Sequence, residues 1–403
     1  MRLFLLIAAM AAVAADWPQY QGPKRDGSSA ETGLLRTFPK DGPKVLWRKE
    51  AGSGWSGPVV AGERAILFHR IENEEVVECV EAATGKEVWR KAYPARYRDD
   101  FNFDNGPRST PSIASNSVFT LGADGDLTAF DFANGKQLWQ RNVNRDYKVP
   151  KGYFGVATSP LLMGDKLLVN VGAKGAGVVA FDPANGKELW KIADDGVSYS
   201  SPVTAEIDGE QLAVFFTRAG LLAVSPERGE VRYSHPWRPR INASVNAASP
   251  IVSGSQIFLT TSYSTGAILL EAAKGELKEI WKGDESLSCH YNTPILVKGF
   301  LYGIDGRQEG RQTRLRCVDW KTGKVIWSKD EFGCATLTVA DGLILAFCES
   351  GELVMFEPTE KNYKELARAA IFDKPPCRAA MALSGGKLFA RDSAKWICVD
   401  VKK

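Results

Sequence analysis

The chain has 403 residues, long enough for two ordinary domains, with 51 Lys and Arg against 48 Asp and Glu and a formal net charge of +3. The two signs nearly cancel and no dense basic run occurs, which excludes binding to nucleic acid or to an anionic membrane surface by bulk charge. Only three histidines are present, and no Gly-x-Ser-x-Gly, Cys-x-x-Cys or His-x-x-x-His pattern appears, so the common hydrolase, redox and zinc signatures are missing.

Taken in chain order, residues 1–15 carry a signal-peptide pattern: Arg2, an apolar run, then small residues ending Val13-Ala14-Ala15. The run is too short to cross a bilayer of about 30 Å. Cleavage after Ala15 would leave Asp16-Trp17-Pro18 at the start of an arm over residues 16–44. No Cys follows the small residues, so the expected product is a soluble periplasmic or secreted protein without a lipid anchor or a membrane span. Val45-Leu46-Trp47-Arg48-Lys49 then has the character of a single strand, expected over 45–50.

From here two elements alternate to the end of the chain. The first is a Ser/Thr-Pro step followed by a short apolar run: Gly57-Pro58, Thr110-Pro111, Ser159-Pro160, Ser201-Pro202, Ser249-Pro250 and Thr293-Pro294, with degenerate copies at Thr336-Leu337 and Ala380-Met381. The second is a phrase of an acidic residue, a turn, Gly, Lys and Trp. It places Gly85 before Trp89, Gly135 before Trp139, Gly186 before Trp190 and Gly323 before Trp327. Gly229 with Tyr233 keeps the spacing, and a looser copy runs from Glu271 to Trp281. Self-similarity at a period of roughly 40 to 50 residues marks a repeat architecture, and four short strands per unit read as a propeller blade.

The phrase has a mechanical reading. The acidic side chain closes the third strand onto the turn, and Gly supplies the positive φ that a tight turn needs. The fixed register aims an aromatic ring at the neighbouring blade. These carboxylates and Trp residues are therefore structural rather than catalytic. The last unit ends after Trp396-Ile397-Cys398-Val399-Asp400, lacking a fourth strand, and 45–50 is the missing piece. The expected fold is all-β: one eight-bladed propeller over 45–403, its four-stranded antiparallel blades closed by pairing of the N-terminal strand with the last blade.

In such a ring the loops that enter the innermost strands gather at one axial face, where binding sites usually sit. Those loops are the unequal ones here. Asp99, Asp100 and Asp104 cluster in the longest. The candidate channel-face residues are Trp55, Arg108, Tyr153, Tyr199, Asn246, His290 and Arg378. Either they hold a flat, anionic or carbohydrate-like ligand, or the loops merely cap the ring and pair their own charges. Cys289, His290, Cys334 and Cys377 are types that suit zinc or copper, but only repeat position brings them together, and no metal site is assigned. A Cys334–Cys377 disulfide is left open, because its geometry cannot be judged from spacing. Cys79, Cys317 and Cys398 share one repeat position and read as small core residues.

The repeated Asp/Glu-x-x-x-Gly-Lys-x-x-Trp phrase resembles the tryptophan-docking repeats of pyrroloquinoline quinone (PQQ) dehydrogenase-like propellers. Trp17-Pro-Gln-Tyr-Gln-Gly-Pro-Lys-Arg-Asp-Gly27 and Asn105-Gly-Pro-Arg-Ser-Thr-Pro111 look like segments of the exported bacterial PQQ-binding-like repeat proteins. In its enzymatic branch the resemblance implies PQQ with calcium and oxidation of alcohols or sugars. This chain has no vicinal Cys-Cys, and the calcium ligands and catalytic Asp of that branch find no matching motif, so no catalytic residue is carried over and no cofactor is committed. The leading expectation is a monomeric, non-catalytic exported propeller that binds a small molecule or an envelope protein at its axial face. The alternatives are a PQQ-dependent oxidoreductase and an outer-membrane assembly scaffold.

Overall fold

The computed structural model describes residues 15–308 and 312–403; the leader expected over 1–15 lies outside them, Ala15 apart. Among these residues eight four-stranded antiparallel sheets form, seven of them in chain order from the innermost strand outward. Blade 1 comprises Val59–Ala61, Arg64–Ile71, Glu74–Glu81 and Glu87–Pro94, and blade 2 Ser112–Ala114, Ser117–Leu121, Asp126–Asp131 and Gln137–Asn142. Blades 3 to 7 repeat the plan with innermost strands at Leu161–Met163, Val203–Ile207, Ile251–Ser253, Ile295–Val297 and Ala335–Ala340. Blade 8 combines Ala382–Ser384, Lys387–Arg391 and Lys395–Asp400 with Val45–Glu50 as its outer strand. The ring is thus an eight-bladed propeller closed by its N-terminal strand, with Trp47 opposite Cys398 and Arg48 opposite Ile397.

Burial follows from position in the blade. Middle strands pack against a neighbouring sheet on both faces and read as continuous apolar runs, as in the wholly buried Lys166–Ala173. Outer strands bury few residues: in Glu87–Pro94, Trp89 and Tyr93 are buried and the rest exposed. Where the third strand meets the fourth, the register slips by a β-bulge at the same place in blade after blade, as at Cys79/Val80, Ala129/Phe130 and Ala180/Phe181.

The repeated phrase builds both this bulge and the blade contact. Asp131 Oδ1 accepts from the Ala133 and Asn134 N–H groups, and the Gly135 N–H donates to the Asp131 carbonyl at 2.8 Å. Gly135 then sits at φ +71° under the Trp89 ring of the preceding blade. The Trp89 indole N–H donates to the Phe132 carbonyl at 3.0 Å. The same pair of contacts joins Trp47 to Gly85 and Ala82, Trp139 to Gly186 and Pro183, and Trp190 to Gly229 and Pro226. Each docked ring is worth about 2 to 3 kcal/mol of burial. Tyr233 joins blades 4 and 5 differently: its hydroxyl donates to Asp208 of its own blade at 2.8 Å and accepts the Gly275 N–H of blade 5 at 3.3 Å.

The outer strand of blade 7, Glu365–Ala370, has no Trp, and the N-terminal arm covers this part of the ring. Leu34 is fully buried, Arg36 pairs with Asp341 of blade 7 at 3.0 Å, and Glu31 accepts from the Gly385 and Gly386 N–H groups of blade 8. Before that the arm crosses the face opposite the entry loops. Trp17 pairs with Val60 of blade 1, and Ser29 donates to the Val339 carbonyl of blade 7. Between them Arg25 enters the axis, donating to Ser159 and Pro202 carbonyls, to Ser112 Oγ and to the Pro160 carbonyl. Burial lowers its pKa to about 9, so it still carries its charge at neutral pH. The arm therefore closes one end of the channel.

Candidate functional site

Stoppered from one face, the channel is a cup of about 140 Å³ open to the entry loops. Its wall is built by the Ser/Thr-Pro steps. Along one arc each hydroxyl accepts an N–H from the preceding blade: Gly57 to Thr110 Oγ1 at 3.2 Å, Thr110 to Ser159 Oγ at 2.9 Å and Ser159 to Ser201 Oγ at 3.0 Å. Ser249 to Thr293 Oγ1, at 3.0 Å, repeats the link further round. Pro has no N–H to satisfy, which suits it to the next position on a narrow wall. Blade 1 has Gly57 in place of Ser or Thr because a Cβ there would lie 2.5 Å from the Ala380 carbonyl. Tyr20 of the arm reaches this wall, its hydroxyl 3.2 Å from Thr293 Oγ1.

Above the wall, aromatic rings and guanidinium groups converge. The Trp55 ring has the Arg108 guanidinium at 4.6 Å and the Arg378 guanidinium at 4.9 Å from its centroid. Such contacts strengthen where water is excluded. Arg108 is held by the Asp99 carboxylate at 3.3 Å and the Asp104 carbonyl at 2.9 Å, and Arg378 by Glu349. Phe154 and Tyr199 meet edge to face at 5.6 Å, and the Tyr199 hydroxyl accepts the Phe154 N–H at 3.2 Å. His290 lies between the Tyr263 hydroxyl, 2.8 Å from Nε2, and Gln308 Oε1, 2.5 Å from Nδ1. Burial pushes the Tyr199 phenol up to about 12 and the Tyr291 phenol well above its ordinary value. Both therefore stay protonated and serve as neutral surfaces rather than bases.

Of the residues singled out from sequence, Trp55, Arg108, Tyr199, His290 and Arg378 line the cup. Tyr153 stands outside it at the rim, 40% exposed. Asn246 is fully buried in the wall, its amide donating to the Thr217 and Trp237 carbonyls and its backbone carbonyl accepting from Tyr199 and Ser200. It fixes the loop that carries Val245 and Ala247 into the lining. Tyr20, Phe103, Phe154 and Tyr291 also line the cup. The Phe103 and Phe154 loops are legible in sequence as the longest entry segments, whereas nothing marks Tyr20 as part of the channel.

The acidic cluster in the longest loop turns inward to fold it. Asp99 is buried and accepts from the Phe103 and Asp104 N–H groups, Asp104 accepts from Gly54 and Gly106, and Asp100 pairs with Lys151. None of the three lines the cup. Cys289, Cys334 and Cys377 are buried free thiols, so no Cys334–Cys377 bond is present, and burial pushes the Cys334 and Cys377 thiols up to about 12. Among the described residues no group of His, Cys, Asp and Glu is arranged to hold a metal ion, and no carboxylate lines the cup. Calcium takes six to eight oxygen ligands, carboxylates prominent among them. The lining thus does not fit a quinone polarised by calcium, and it offers no carboxylate base.

Eight blades, docked Trp rings and an axial aromatic cup define a propeller of the quinoprotein-like repeat class. A family model described as "Outer membrane protein assembly factor BamB" matches residues 31–193 and 154–329, and the chain belongs to that family. It is 24% identical over 231 residues to the outer membrane protein assembly factor BamB of Burkholderia pseudomallei, covering 55% of each chain. The chain thus spans about half the length of that relative. The crystal structure of BamB from Moraxella catarrhalis superposes with a TM-score of 0.63 at 12% identity, over 88% of this chain and 97% of that one. Quinohemoprotein alcohol dehydrogenase from Comamonas testosteroni superposes with a TM-score of 0.56 at 14% identity, over 96% of this chain and 81% of that one. At such identities these likenesses establish the fold alone. No helix among the described residues is long and apolar enough to cross a membrane.

Proposed function

We propose that this protein is a non-catalytic binding propeller of the bacterial envelope, exported through its leader and acting as a monomer that holds a ligand or partner in the axial cup. The carrying observation is the make-up of the cup: clustered aromatic rings and two carboxylate-held guanidinium groups, with no carboxylate among the described lining residues. Such a surface offers faces and donors for recognition but no base for drawing a proton from an alcohol. Membership of a family described as an assembly factor supports the same reading. Trp55, Arg108, Tyr199, His290 and Arg378 are its contact residues, with Tyr153 at the entrance.

The test is to incubate the purified protein with PQQ and calcium, remove free cofactor, and assay both retention and dye-linked oxidation of alcohols and sugars. The expected outcome is neither retention nor turnover. Stoichiometric retention with turnover would overturn the proposal in favour of a quinoprotein dehydrogenase.

A further inference from the structure

Every strongly exposed aromatic ring among the described residues belongs to one patch at the mouth of the cup. Phe101, Phe103 and Tyr153 are 49%, 47% and 40% exposed. Their rings form one cluster: Phe101 lies 6.0 Å from Phe103, 6.2 Å from Tyr153 and 5.5 Å from Phe154. Phe154 continues inward to Tyr199, so the exposed patch and the cup are one continuous apolar surface. Exposed clusters of this kind mark interaction sites, and Trp, Tyr and Arg are the residue types that dominate binding energy in them.

One side of this mouth is basic. Arg218 donates to Ser244 Oγ at 3.1 Å and to the Asn242 carbonyl at 2.8 Å, anchoring it to the loop that carries Val245 and Ala247 into the cup. Arg238 and Arg240 are exposed on the same loop. Arg108 and Arg378 each have a carboxylate partner, whereas Arg218, Arg238 and Arg240 have none at ion-pair distance among the described residues. Arg218 and Arg238 lie close enough to repel one another, Asp195 offsets only part of the charge on Arg218, and an acidic partner would relieve the rest. A cavity of about 140 Å³ has room for one ring-sized group, such as a single inserted side chain.

We propose that the mouth of the cup docks an acidic, extended segment of another protein, with one apolar side chain inserted beside Trp55 and Phe154 and flanking carboxylates on Arg218, Arg238 and Arg240. This rests on the binding-propeller reading. It adds the chemistry of the partner.

The experiment pans a random dodecapeptide phage library on the full chain, then measures synthetic copies of the enriched peptides by fluorescence anisotropy. Enriched peptides should carry an aromatic residue or Leu between Asp and Glu residues. They should bind at least about tenfold more weakly to the R238E/R240E double variant and to Phe103→Ser, and more weakly in added salt. All three altered positions are exposed, so a retained circular-dichroism spectrum and Tm separate lost binding from lost folding. Enrichment of neutral or basic peptides, or equal binding to the variants, would overturn the inference. So would failure to enrich any peptide. Neutral oligosaccharides displacing the peptides would assign the mouth to carbohydrate instead, and self-association abolished by the same variants would assign it to a second copy. Turnover with PQQ and calcium would remove the parent reading, whereas a failed peptide selection without turnover removes only the acidic partner.

Discussion

Gly135 has φ near +71°, and a Cβ there would lie 2.5 Å from the Trp89 ring. Gly275 shares the positive φ, at +81°, but a Cβ there would meet nothing within 4 Å. Gly275→Ala should therefore lose only the backbone term of about 1 to 2 kcal/mol, and Gly135→Ala clearly more, because the ring must also shift. Trp89→Ala should lose about 3 to 5 kcal/mol. Urea unfolding of the three variants checks this order. A second residue-scale prediction concerns Glu75, buried between blades 1 and 2, with Oε1 accepting the Ala123 N–H at 2.8 Å. Burial pushes its carboxyl up to about 7, so its unfavourable contribution is absent below the ordinary carboxylate range, grows as pH rises from about 4.5 to 7, and is then constant. His69 has the opposite sign: burial and nearby Arg391, Arg90 and Lys49 lower it to about 3, and stability is lost as pH falls from 6.5 toward that value. Because the two slopes oppose each other, the difference between Glu75→Gln and the parent is the quantity to measure. It should be near zero at pH 4 and reach up to about 3 kcal/mol in favour of the variant at pH 8.

Among the elements, the blades and the arm differ in how far they could be read from sequence. A blade announces itself because Gly, four residues before an outer-strand Trp, encodes both a bulge and a contact with the next blade, and the pattern recurs. The arm makes one pass across the ring and has no period. Nothing local distinguishes Arg25 from any other turn-flanked arginine, yet it is the group that fills the axis. The same reasoning divides the site. Entry loops could be located by their unequal lengths, which brought Trp55, Arg108 and Arg378 together, but Asn246 serves the wall and Tyr20 arrives from the far end of the channel. Arg25→Met should leave the Ser159, Pro160 and Pro202 carbonyls without this donor and lower stability by about 2 to 4 kcal/mol. Hydrogen exchange should quicken first in the innermost strands of blades 2 to 4, the ones Arg25 ties together. Unchanged exchange there would refute the plug.

For the whole molecule, closure is the decisive feature. Closing the ring covers sheet faces that an open array would leave bare. Removal of residues 395–403 takes away the strand that pairs Val45–Glu50, so the outer strand of blade 8 loses its place and the faces of blades 1 and 7 are uncovered. The truncated chain should elute as aggregate in size-exclusion chromatography and lose cooperative thermal unfolding, even though seven blades retain their full sequence.

Blade 8 also sets an order of events in time. One of the first strands to be synthesised must wait, unpaired, for one of the last. Until the final strand arrives the chain holds apolar sheet faces and a bare edge open to other chains, and the contact that ends this interval is among the most distant in sequence that the molecule makes. Ring closure is therefore expected to be the slow step of folding, and the interval before it the one in which the protein depends most on chaperones.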